Sequence, residues 1–168
     1  DISNDRAGDR ASWHHYNLTI FRMSQVPECF YRVSVKALIL NETRDKFLIC
    51  KEDNGYWELP GGGLDWGMTP QEDLPREISE EMGLKTTWIA DNPSYFLTGQ
   101  QGMNPDINIV NVLYECTVEH LDFTPSSECV EIAFVDAEDI KNMQVFVGVE
   151  KLAKMFNKDN HRSPSHSA

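Results

Sequence analysis

Residues 62–84 read GGLDWGMTPQEDLPREISEEMGL, a glycine-rich loop running into a short helix with three carboxylates on one side. Glu77, Glu80 and Glu81 are related by i+3 and i+4 spacing, so their side chains converge on one patch. Gly83 is expected to stop the helix. That puts Glu80 and Glu81 in its last turn, where the helix dipole disfavours anions by roughly 0.3–1 kcal/mol each. Nothing in the helix itself is expected to compensate three negative charges held so close. A hard divalent cation would relieve both penalties, because Mg²⁺ prefers carboxylate oxygens. Leu74, Ile78 and Met82 form an apolar stripe about a quarter turn from the acidic one. One side can therefore anchor in a core while the other faces a cleft. Arg76, at the far edge of the acidic stripe, is placed to hydrogen-bond a carboxylate and fix its orientation. The plain alternative is a solvated acidic face; the order Arg-Glu-x-x-Glu-Glu-x-Gly behind a glycine loop argues against it.

The segment resembles the Nudix box, Gly-x5-Glu-x7-Arg-Glu-U-x-Glu-Glu-x-Gly-U, where U is bulky and aliphatic. Gly62, Arg76, Glu77, Ile78, Glu80, Glu81, Gly83 and Leu84 fall in register, and Trp57-Glu58-Leu59-Pro60-Gly61 looks like the family's lead-in. Two positions depart. Met68 replaces the first Glu of the box, a residue that in the family belongs more to loop–helix organisation than to the metal core. Pro75 precedes Arg76. If the helix starts at Pro70, a favourable N1 position, Pro75 lies inside it, removing a hydrogen bond to the Gln71 carbonyl and crowding that oxygen. The other expectation is a helix that starts near Pro75 or bends at its first turn.

The resemblance implies an α/β/α Nudix sandwich with a mixed β-sheet between helices. It implies hydrolysis of a diphosphate linkage in a nucleoside diphosphate joined to another group, of the nucleotide or nucleotide-sugar class, with Mg²⁺ or Mn²⁺ as cofactor. Glu80 and Glu81 are the first choices as metal ligands. Glu77, oriented by Arg76, is the candidate outer ligand or base. Gly61, Gly62 and Gly63 can bring backbone groups close to metal and phosphate because no Cβ intervenes, and by analogy the Gly62 carbonyl completes the metal shell. A further carboxylate from a distant loop would be Glu128 or Glu131, each equally readable as a solvated strand-edge residue, and such a residue could serve as base instead of Glu77. No subclass signature marks the substrate; Gln100 and Gln101 stand where such markers fall. Trp57, Tyr95 and Phe96 could stack on a base, with core packing the plainer role for each. The competing reading is a catalytically impaired Nudix-fold module that binds a nucleotide or a protein. Met68 and Pro75 favour it; retention of Arg76, Glu77, Glu80 and Glu81 opposes it.

Composition narrows the class. The chain has 168 residues and is 40% apolar, enough for one domain with a sizeable core. Its net charge of -12 argues against nonspecific nucleic acid or anionic membranes as partners. A small phosphorylated substrate remains compatible, because bound metal inverts the local charge. No apolar run approaches the ~20 residues of a membrane span, no apolar leader is visible, and a cytoplasmic location is expected. Cys29, Cys50, Cys116 and Cys129 lack metal-site spacing; Cys50 and Cys116, inside apolar runs, should be buried thiols. None of His14, His15, His120, His161 and His166 is given a role.

The expected organisation is a partly mobile N-terminal extension over residues 1–29, a catalytic domain over 30–156 and a polar tail over 157–168. Tyr16–Met23 alternates and could pair with a partner, so a homodimer is possible by analogy. Strands are expected at Tyr31–Leu40, Phe47–Lys51, Trp57–Leu59, Thr86–Ala90, Tyr95–Thr98, Ile107–Val118 and Val130–Val135. Gly99–Asp106 is expected to be a loop bordering the binding site. Asp136 should cap a short helix over Ala137–Asn142, and Val149–Phe156 should close the fold.

Overall fold

A computed structural model describes residues 31–101 and 104–161. The expectations for His14, His15, Tyr16–Met23, Cys29 and His166 lie outside them. In chain order the elements are β1 (Tyr31–Leu38), β2 (Phe47–Lys51), β3 (Trp57–Glu58), α1 (Pro70–Met82), β4 (Thr86–Ile89), β5 (Tyr95–Gln101), β6 (Asn104–Val118), β7 (Glu131–Val135) and α2 (Val147–Met155). Short 3-10 turns cover Asp139–Asn142 and Lys158–His161.

Two sheets make the middle layer. In the first, β6 carries β1 parallel, from Tyr31 against Asn108 to Leu38 against Glu115. It also carries β5 and β4 antiparallel along successive stretches. The second is antiparallel in the order β3-β2-β7. Strand alternation sorts the side chains to two faces. Val35, Ala37, Leu48, Cys50, Tyr114 and Cys116 pack with Leu74, Ile78 and Met82 of α1. Their neighbours Leu38, Phe47, Ile49 and Leu113 pack with Val149, Leu152 and Ala153 of α2. Both faces are covered, so the end of β1 and most of β2 are buried without interruption. The architecture is the expected α/β/α sandwich, with the mixed layer split into two sheets.

Two boundaries differ from the sequence expectation. Gly99–Asp106 is not a free loop: β5 runs through Gln101 and β6 begins at Asn104, because the β5–β6 pairing continues, with a bulge, to Gln101 opposite Asn104. The expected helix over Ala137–Asn142 shrinks to a 3-10 turn at Asp139–Asn142. The cap position falls to Glu138, whose side chain makes no cap bond; Asp136, two residues earlier, instead closes the preceding turn, its Oδ1 accepting from the Glu138 and Asp139 amides at 2.8 and 3.1 Å.

The glycine stretch is seated on β1. The Val35 amide donates to Gly62 O (2.9 Å), the Ala37 amide to Pro60 O (2.8 Å) and the Leu64 amide to Val33 O (3.0 Å). Residues 60–64 therefore occupy the edge of β1 opposite β6. Gly61 has φ +106°, and a Cβ there would lie 2.5 Å from Val35 O and 2.9 Å from Leu74 Cδ1. Only glycine fits this approach. The helix that follows is anchored by Leu74, Ile78 and Met82, all fully buried, each contributing roughly 1.5–3 kcal/mol. Glu72 accepts from the Thr69 amide and hydroxyl at its start, and Gly83 ends it at φ 66°.

Candidate functional site

The seat on β1 and the stripe on α1 together decide where the carboxylates go. Glu81, one position before the buried Met82, turns inward: it is 9% exposed, and its Oε2 accepts the Gly61 amide at 2.9 Å. Burial pushes its carboxyl up to about 7, against the pull of Lys36 and the Gly61 amide and with Glu77 and Glu128 adding to the rise. Glu77, one turn earlier, lies against the next glycine; a Cβ on Gly62 would meet its Oε2 at 2.4 Å. Glu80 takes the outer side, with a side chain 62% exposed and bonded to Arg76 Nη1 at 2.8 Å. The structure thus brings Glu77 and Glu81 onto the glycine loop and leaves Glu80 on the flank.

Arg76 is more than the orienter expected of it. It donates to Glu77 (2.6 Å), Glu80 (2.8 Å), Asp65 (3.2 Å) and the carboxylate of Asp73. Bonds to Asp73 and Glu77 raise its own pKa further above the ordinary arginine range. The expectation that the helix leaves its acidic triad uncompensated is corrected: Arg76 neutralises the outer part, and the burden falls on Glu81.

Asp73 explains how the loop is held with Met68 in place of a glutamate. Its carboxylate is fully buried, with Oδ2 accepting the Asp65 amide at 2.9 Å and Oδ1 accepting Arg76. It ties the glycine loop to the helix, while Met68 only closes a turn through its amide to Asp65 O. Pro75 lies inside a helix that is continuous from Pro70 to Met82, so the later-start expectation does not hold. The carbonyl that loses a partner belongs to Gln71, an exposed residue, which water can serve.

Of the two distant carboxylates, both exposed, Glu128 is the one whose charge reaches the site. Glu128 bears electrostatically on Glu81. Its amide donates to Ser126 Oγ (3.2 Å), which in turn donates to Glu81 O (2.7 Å). Glu131 is exposed and pairs with Lys51 at 3.2 Å. The Gly62 carbonyl, expected to face a metal, already accepts the Val35 amide; the Gly61 carbonyl is the one turned to a cation, accepting from Lys36.

A cleft of about 280 Å³ opens beside the glycine loop on the α2 side. Ser34 and Lys36 of β1, Asn111 of β6, Glu58, Phe146 and Gly148 are among its lining residues. Gln100 also lines it. The aromatic rings nominated from sequence lie elsewhere. Trp57 is buried in the core under Lys51, Tyr95 bonds His161, and exposed Phe96 is not part of the cleft. The ring at the cleft is Phe146, which packs on Tyr56 with centroids 5.1 Å apart. Lys36, Asn111 and Phe146 were missed. A lysine amid the apolar run of β1 was the one readable signal among them.

Among the described residues no three His, Cys, Asp or Glu side chains already converge as a metal cage. The donor set nevertheless fits a hard divalent ion. Glu81 is a buried carboxylate whose charge burial opposes, with Glu77 and Glu128 adding negative charge around it. The glycine at position 62 leaves no side chain between Glu77 and the loop. A cation with oxygen preference relieves that charge.

The NUDIX domain model matches residues 30–157. The nucleoside triphosphatase NudI of Klebsiella pneumoniae (strain 342) is 32% identical over 123 residues, which cover 66% of this chain and 86% of that protein. The crystal structure of an ADP-ribose pyrophosphatase from Streptococcus suis 89-1591 superposes with a TM-score of 0.58 at 25% identity, covering 80% of this chain and 94% of that one. The MutT protein from Methanosarcina mazei Go1 shares the fold, with a TM-score of 0.62 at 24% identity, covering 80% of this chain and 99% of that one.

Proposed function

Because this chain belongs to the NUDIX domain family, we propose that it is a pyrophosphohydrolase that cleaves a diphosphate linkage in a nucleoside diphosphate joined to another group, with Mg²⁺ or Mn²⁺ as cofactor. The observation that carries the reading is Glu81, a buried carboxylate held by the Gly61 amide with Glu77 and Glu128 around it. A chain under selection for stability alone has no use for that charge. Glu77 and Glu81 would hold the metal, with Glu80 and Glu128 on the same patch. The ion supplies charge neutralisation at phosphate and a more acidic bound water. The protein's own part is positioning. Arg76 fixes Glu77 and Glu80, the glycine stretch on β1 lets the phosphate chain approach backbone, and the cleft beside Phe146 takes the nucleoside end. Glu77 or Glu128 accepts the proton of the attacking water.

The activities of the relatives, a nucleoside triphosphatase and an ADP-ribose pyrophosphatase, support the nucleotide class and leave the leaving group open. Anchoring of the loop by Asp73 removes the main argument for an impaired module, since position 68 does not organise the loop here. The test is product release from nucleoside triphosphates, ADP-ribose, nucleotide sugars and dinucleoside polyphosphates with Mg²⁺ or Mn²⁺, beside a Glu80→Gln, Glu81→Gln variant. Turnover lost in the variant supports the reading. A folded protein that binds nucleotide and turns over none of them rejects it.

A further inference from the structure

Lys36 is the one charged residue on the buried part of β1. It is 9% exposed, between Val35 and Ala37 at 0%. A lysine buried in a sheet needs partners for its ammonium. Two of those it has are in the candidate site: Nζ donates to the Gly61 carbonyl, and its charge bears on Glu81. Gly61 thus gives its amide to Glu81 and its carbonyl to Lys36. Lys36 also lines the cleft, so the same side chain borders the carboxylates on one side and the space for a nucleoside on the other.

Resting on the function proposed above, we infer that Lys36 and the divalent ion compete for the carbonyl of Gly61, whose amide holds the Glu81 carboxylate. With metal bound, the ammonium would leave the Gly61 carbonyl for the mouth of the cleft, between the glycine loop and the nucleoside space, where it meets a phosphate of the substrate. The physical basis is simple. Two cations cannot share that space, since like charges a few Å apart repel strongly even at an effective dielectric of about 20. The lysine stem is flexible, with rotatable bonds to carry the ammonium from one partner to another. Lys36 is then a positioning residue that holds Glu81 and the glycine loop in place until metal arrives and couples metal loading to phosphate binding.

Two measurements test this. In wild type, the reactivity of Lys36 toward an amine-acetylating reagent, read by mass spectrometry, should rise severalfold on adding Mg²⁺; unchanged or lower reactivity overturns the inference. In Lys36→Met at pH 8, Mn²⁺ should bind about tenfold more tightly by electron paramagnetic resonance, the scale of removing one nearby like charge, while KM for the nucleotide rises. Unchanged or weaker Mn²⁺ binding by the folded variant overturns it, because a lysine that merely supports the fold would not tighten metal binding when removed. Lys85→Met, at an exposed lysine paired with Glu119, should leave Mn²⁺ affinity as it is. If Lys36→Met does not fold, the labelling of wild type decides. Failure of wild type to bind Mn²⁺ at all would instead overturn the carboxylate-site reading beneath.

Discussion

Glu81 carries a conflict between stability and activity. Burial raises its folded pKa to about 7 from an ordinary 4.5, so folding favours the neutral acid. The stability it lends is full below about pH 4.5 and is lost as pH rises through 7. Thermal unfolding in the presence of a chelator should therefore show Glu81→Gln to be more stable than wild type at pH 8, with the gap closing by pH 4. A variant that is less stable at pH 8 would mean the carboxylate is favourably paired rather than frustrated. Asp73 is the opposite case, a buried carboxylate with its partners in place. Asp73→Asn should cost about 1–3 kcal/mol in denaturant unfolding, because it removes one of the carboxylates paired with Arg76 and weakens the acceptor of the Asp65 amide. Met68→Glu, by contrast, should alter turnover only about twofold, as a substitution that breaks no contact. A large gain there would revive the impaired reading.

At the scale of elements, α1 tolerates a proline because it falls where the orphaned carbonyl meets water. The strain is still present. Pro75→Ala restores the hydrogen bond to Gln71, and an interior proline costs about 3 kcal/mol against under 1 kcal/mol returned through the unfolded chain. Net stabilisation of about 2 kcal/mol is expected, read as a higher unfolding midpoint; a lower midpoint would show that the ring packs usefully. Much of this element was legible. The stripe Leu74–Ile78–Met82, the glycine stop and the convergence of carboxylates follow from 3.6-residue periodicity, which the helix obeys. What periodicity could not show is the inward turn of Glu81 and the outward turn of Glu80, because that depends on the glycine loop bonded to β1, a strand that ends at Leu38, far upstream of the helix C-terminus at Met82. Asn111 and Phe146 were illegible for the same reason, and the lysine amid the apolar run of β1 gave no sign of which partners Lys36 meets. The three residues come from three distant segments and share a cleft only once β1, β6 and α2 are packed.

Across the whole molecule, the C-terminal segment closes the sandwich at a point the sequence left without a role. His161 is buried, bonds Tyr95 Oη at 2.8 Å and Glu115 Oε2 at 2.9 Å, and stacks on Phe156. Arg44 donates to the His161 carbonyl and to Glu115. A lone histidine in a polar tail gives no sign of this, since its hydrogen-bond partners are distant in sequence. His161→Ala should destabilise the fold by about 2–4 kcal/mol, by leaving a half-buried glutamate short of a partner. Its kcat should stay unchanged, because none of these residues touches the glycine loop or the cleft.

The central claim is that a carboxylate cluster on Glu81, seated by glycines on β1, cleaves a phosphoanhydride with a divalent ion. Its most direct test is nucleotide or phosphate release from the panel of nucleotide derivatives with Mg²⁺, measured for wild type and Glu81→Gln side by side. The account predicts turnover of at least one nucleotide by wild type and a loss of about a thousandfold or more in the variant, the scale of removing a group that sets charge at the reacting phosphate. Equal turnover in the two proteins would contradict it.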